Sequence, residues 1–215
     1  MRIPPTAALL MIATGLPLAL ALGPALPGDD SAAAAGVLAS QPAEEGAAVA
    51  AAARSLVGAH ELVEDGRRFN YDCSGTILAA YHRAGVRLYP LFLQHRGSGV
   101  RRLHELSEAR QADLPVPGDM VFWDNTWDRN RNGHWDDALT HAGIVTAVDP
   151  ASGVISFVHH DERRGIVEDH MNLARPDAPG HNAVMRAAGE PDHGGRIYAG
   201  QLYAGARSPY ILAAP

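Results

Sequence analysis

A single cysteine, set among polar residues just ahead of a helical run, is the strongest nucleophile this sequence offers. Cys73 sits in Tyr71-Asp72-Cys73-Ser74-Gly75 and is the only cysteine among 215 residues. Residues 76–84 carry Ile77, Leu78 and Tyr81 at helical spacing, and Gly85 reads as the stop. A thiol in the first turn of a helix faces unpaired backbone N–H groups and the positive end of the helix dipole. Both favour the thiolate, so the spacing predicts an acidic, reactive sulfur.

A thiol nucleophile needs a base, and the base needs a third group to orient it. His141 opens an apolar run over 141–148 that reads as a strand. There His141, Gly143 and Val145 share one face, and Gly143 leaves room for a helix end to approach it. A second strand over 154–159 ends at His159, on the face of Ile155 and Phe157, while His160 points the other way. His159 is therefore the expected orienter and His160 the fallback. Taken singly, His141 reads first as a strand-edge cap, and the rival for His159-His160 is a polar strand end. The cysteine upstream tips both toward chemistry.

A second pattern lies in the polar insertion 124–137. Asp128, Asn130, Asn132, Gly133 and Asp136 match the first nine positions of a calcium loop, with His134 at the place that lends a backbone carbonyl. The twelfth position is Leu139, where a bidentate Glu would stand; Asp137 or Asp124 could substitute. The competing reading is a surface loop of Asx turns. A zinc site from His134, His141, His159 and His160 is a weaker rival, because no tight ligand spacing supports it.

The elements that must position these residues occupy the middle of the chain. Residues 1–21 resemble a secretory signal: Arg2, an apolar run over 7–21, and Ala19-Leu20-Ala21 as a cleavage site. Residues 22–46, rich in Ala, Gly and Pro, read as a disordered linker. A helix is expected from about Glu44 to 58–60, a polar turn over 64–68, and a short strand or loop over 89–93. A surface helix over 101–112, a turn over 115–119 and a strand over 120–123 follow. The tail is expected as a Gly/Pro-rich loop over 176–195 and a strand near 197–203.

Hydrophobic residues make up 47% of the chain, enough for one core after the N-terminus is set aside. A secreted chain with one cysteine forms no internal disulfide, so the thiol is either buried filler or reactive. Net charge is −6, and no basic patch with interleaved aromatics appears, which argues against nucleic acid as a partner. All 18 basic residues are arginine.

Asp72-Cys73-Ser74-Gly75 with its helix, the segment Pro117-Gly118-Asp119-Met120-Val121-Phe122, His141-Ala142-Gly143-Ile144-Val145 and Phe157-Val158-His159 stand in the order of the NlpC-type cell-wall cysteine peptidases. The chain resembles that family over roughly 47–160. The resemblance implies an α+β, papain-like fold, with N-terminal helices packed on a small antiparallel sheet, and one hydrolase domain over 47–215. It implies cleavage of peptidoglycan stem peptides at a γ-D-glutamyl–diamino acid bond. Cys73 then resembles the nucleophile, His141 the base, and His159 the third polar residue. Asp72 and Ser74 resemble residues that line the groove and hold the stem peptide's amine.

No cofactor is implied for the chemistry; calcium enters only as a structural ion of the loop. The expected partners are peptidoglycan peptides, with no stable membrane insertion after signal cleavage and a secreted or periplasmic location. A CHAP-like peptidoglycan amidase and a non-catalytic, calcium-stabilised secreted binding module remain open. The chain departs from the family before the cysteine, where Glu61-Leu62-Val63-Glu64-Asp65-Gly66 replaces the usual Tyr-x-(Trp/Tyr)-Gly-Gly segment.

Overall fold

The computed structural model describes residues 30–110, 114–191 and 194–209, with side chains from residue 43 onward. The expected signal, 1–21, lies outside the described residues. Helix α1 (Asp30–Ser55) begins well before the expected start near Glu44. The alanine-rich stretch read as linker from 30 to 46 is helical because alanine, poor in burial, is the best helix former. Val49 and Ala53 of α1, and Leu56 just after it, are buried in the core.

Strands β1 (Leu62–Glu64) and β2 (Arg67–Phe69) form a hairpin where only a turn was expected. Its two-residue loop, Asp65-Gly66, has φ of 48° and 77°, the mirror-image turn that Asp-Gly favours. Helix α2 (Cys73–Arg83) follows. Residues 89–93, expected as strand or loop, hold the short helix α3 (Tyr89–Phe92), with proline in its first turn. The surface helix expected over 101–112 is instead α4 (Gly99–Glu105), capped by Ser98, followed by strand β3 (Ser107–Ala109).

The remaining strands are β4 (Met120–Trp123), β5 (His141–Asp149), β6 (Val154–Asp161), β7 (Gly165–Asn172) and β8 (Tyr203–Pro209). Helix α5 (Ala199–Leu202) takes most of the stretch expected as the last strand, which moves β8 toward the C-terminus. The sheet runs β3-β8-β4-β5-β6-β7, and each neighbouring pair is antiparallel.

Both faces of the sheet are covered. On one, α1 and α2 pack against Met120, Phe122, Ala142, Ile144 and Val158. On the other, Val121, Trp123, Val145, Ile155, Phe157 and Met171 pack against Met185, Ala199 and Leu202 of the tail. Each fully buried Leu, Ile or Phe contributes about 2 kcal/mol. The two-sided burial explains why β4 reads as an unbroken apolar run, all four residues buried, rather than as an alternation. Among the described residues no helix is long and apolar enough to cross a membrane.

Candidate active site

The turn into α2 is held by Asp72. Its carboxylate Oδ1 accepts from the Gly75 backbone N–H at 2.7 Å and from the Ser74 hydroxyl at 2.8 Å, while its carbonyl accepts from Thr76 N–H at 2.9 Å. The cap satisfies one of the orphan donors of the helix start, that of Gly75, and leaves those of Cys73 and Ser74 for the sulfur. The turn tolerates only glycine at 75: a Cβ there would stand 1.8 Å from the carbonyl oxygen of Asn70. Gly99 likewise makes room for Ser74, whose hydroxyl would lie 2.2 Å from a Cβ.

Cys73, His141 and His159 line one cleft of about 970 Å³, together with Asp72, His160 and Asp169. Tyr71, Trp127 and Val184 stand exposed on its lining. Helix α2 and His141 reach this cleft from opposite faces of the sheet. Ala142 and Ile144 point to the α2 side, whereas His141 and His159 lie with Trp123 on the other. Gly143 therefore does not receive the helix end, as the sequence suggested. Its missing Cβ makes way for Val158, His159 and the Trp123 ring.

His141 Nε2 lies 2.9 Å from His159 Nδ1, and His159 Nε2 lies 3.0 Å from Asp169 Oδ2. Arg164, in the β6–β7 turn, closes a fork on Asp169 with contacts of 2.6 and 3.1 Å, and also pairs with Asp161 at 3.1 Å. His159, at the centre of this line, is 2% exposed, while Arg164 at its end is open to solvent. His160 faces the opposite way, with its ring edge-on to Tyr71 at 4.6 Å and its Nε2 buried without a hydrogen-bond partner.

The electrostatics reverse one expectation. Burial, with the Asp72 carboxylate adding to it, pushes the Cys73 thiol up to about 12. The backbone N–H groups of Ala142, Ser74 and Cys73 itself favour the thiolate but are outweighed. Burial lowers His141 well below its ordinary 6.5, and His159 and His160 add to the shift against a weaker pull from Asp161. The resting pair is a neutral thiol and a neutral imidazole, with no hydrogen bond between them. Burial opposes charge on Asp169 too, but hydrogen bonds from His159 and Arg164 prevail and hold it well below the carboxylate range.

Asp169 and Arg164 were missed because β7 was missed. Val167 pairs with His159 across the ladder, so Asp169, two residues on, lies diagonal to it on the same face. The apolar residues Ile166, Val167 and Met171 after Gly165 were the only local signal.

The polar insertion is knitted by its own hydrogen bonds. Asp128 accepts from the backbone N–H groups of Asn132 at 3.2 Å and Gly133 at 2.8 Å. Asn130 and Asn132 turn their amide NH2 groups to Asp136, and Asn132 Oδ1 accepts from His134 N–H at 2.7 Å. Leu139, at the twelfth position, donates its N–H to Asp124. Among the described residues, no group of three or more His, Cys, Asp or Glu side chains is placed to hold a metal ion. His134 is exposed on this loop, away from the line formed by His141 and His159.

No family model matches the chain, and no curated protein matches it. A solved Staphylococcus aureus subsp. aureus Mu50 chain, described as similar to lipoprotein, NLP/P60 family, superposes with a TM-score of 0.41 at 16% identity. The match covers 77% of this chain and 41% of that one. At this level of similarity the functional reading rests on the residues of the cleft themselves.

Proposed function

We propose that the protein is a cysteine hydrolase of peptidoglycan stem peptides, cutting an amide bond of the γ-D-glutamyl–diamino acid type. The observation that carries the chemistry is the meeting, in one cleft, of a helix-start thiol and an imidazole whose far nitrogen is bonded to a second, buried histidine. The substrate class follows from the resemblance around Asp72-Cys73-Ser74-Gly75 and His141.

Because both partners are neutral at rest, His141 takes the thiol proton as the sulfur attacks the amide carbon, rather than beforehand. The Cys73 backbone N–H at the helix start stabilises the charge that forms on the carbonyl oxygen. His141 then returns its proton to the leaving amine, and water releases the acyl group. Asp72, whose Oδ2 makes no hydrogen bond among the described residues, is the natural partner for an ammonium group of the substrate. A CHAP-like amidase would use the same groups on another amide.

The test is digestion of purified peptidoglycan, with the new termini identified by mass spectrometry. New γ-D-glutamyl carboxylates that vanish with Cys73→Ala support the reading; unchanged cleavage by that variant refutes it. The raised thiol favours one second reading, a non-catalytic binding module on the same scaffold. In that case Cys73 resists iodoacetamide at neutral pH.

A further inference from the structure

Two residues outside the Cys-His-His set complete the line of hydrogen bonds. Asp169 is held by the Arg164 fork and by His159, and an ionised carboxylate can only accept. The nitrogen facing it, His159 Nε2, must therefore carry a hydrogen. In the tautomer of His159 with a single hydrogen, that leaves Nδ1 as a lone pair, and the proton in the 2.9 Å contact belongs to His141 Nε2. A neutral His141 has no second hydrogen, so its Nδ1 is left bare.

We propose that Asp169, locked by Arg164, is a positioning residue that fixes the tautomers of both histidines and so leaves His141 Nδ1 as the nitrogen that accepts the Cys73 proton. In that transfer the S–H bond breaks, its electron pair stays on sulfur, and the proton ends on His141 Nδ1. The imidazolium so formed keeps its Nε2–H on His159, and no proton moves on to Asp169. The groups around the line are Arg164 and Asp161 at the hairpin, and His160 beside them on β6. Without the anion the line can reverse. An amide at 169 would offer oxygen to Arg164 and NH2 to His159, moving the His159 hydrogen to Nδ1 and that of His141 to Nδ1 as well. His141 would then have no lone pair for the thiol.

The inference deepens the hydrolase reading and rests on it for its catalytic meaning, but its geometry is testable without substrate. The experiment uses the 15N-labelled protein at pH 7.5, reading imidazole nitrogens from two-bond proton–nitrogen spectra. Wild type should show both histidines as Nε2–H tautomers, and Asp169→Asn should show both as Nδ1–H with the melting temperature within about 3 °C. Iodoacetamide labelling of Cys73 should slow about a hundredfold in Asp169→Asn, the scale of a lost general base.

Wild-type His141 carrying its hydrogen on Nδ1 overturns the proposal, as does an Asp169→Asn protein with unchanged tautomers or an unchanged labelling rate. If Asp169→Asn does not fold, the wild-type spectrum decides alone. The expected tautomers in a protein that leaves peptidoglycan intact would refute the hydrolase reading and leave this one standing.

Discussion

The line from His141 to Asp169 and the loop from Asp128 to Asp136 draw on the same residue types, yet they are built in opposite ways. In the first, His159 is buried and bonded on one side to His141 and on the other to Asp169, so its proton positions are dictated by its neighbours. In the second, Asp128 and Asn132 each engage two or more neighbours in an exposed loop, where water can replace any one of them. Ordered acceptors become a chemical device only where solvent cannot compete. The same contrast explains the titration behaviour. Burial moves Cys73 and His141 far from their ordinary values, while the exposed Asp128 is lowered chiefly by hydrogen bonds from the loop backbone, Gly133 first.

The sharpest way to break the contrast is to delete the sulfur. Cys73→Ala should abolish both turnover and iodoacetamide labelling while the melting temperature stays within about 3 °C, because one half-buried thiol becomes a methyl. Residual turnover in that variant would mean the buried line serves structure alone.

A matched pair of glycine substitutions compares the two regions directly. Gly75→Ala forces a methyl into the Asn70 carbonyl and should cost about 3 kcal/mol or prevent folding, the penalty of overpacking a site that cannot yield. Gly133→Ala meets open space but sits at φ 75°, so it should cost only about 1 kcal/mol of left-handed strain. Chemical denaturation of both variants reads the difference; equal losses would show that the α2 turn is softer than its packing implies.

Acid provides a milder probe. His141 is kept neutral in the fold but titrates near its ordinary 6.5 when unfolded, so below that pH the unfolded chain binds the extra proton. The stability tied to His141 is thus present above 6.5 and lost as pH falls. The melting temperature should drop between pH 7 and 5, and His141→Gln should flatten the drop. A slope unchanged by that substitution would assign the acid sensitivity to other groups.

The smallest effect is expected from Asp128→Ala. It removes the acceptor for two exposed N–H groups, which water can take over, so the melting temperature should fall less than in either glycine variant. A larger loss would show that the loop braces the approach to His141.

Some of this was legible in the chain itself and some was not. Cys73 at the helix start, His141 opening one strand and His159 closing the next are local matters, set by the helical spacing after Cys73 and by the period of two along a strand. The Asp-Gly hairpin was equally local and was overlooked, as was β7, whose side chains alternate too irregularly to announce a strand. Helix α1 was hidden for a different reason: alanine is silent in a reading based on burial, yet favours helix.

What the sequence by itself determined is which atoms could react: one thiol and two histidines on neighbouring strands. What only the tertiary structure decided is their charge and their company. The expected acidic thiol is instead raised, because burial is a property of the packed interior, and the backbone N–H groups that favour the thiolate are outweighed by it. Asp169 enters the line only through the pairing of β6 with β7, a contact between segments that nothing in either one encodes alone.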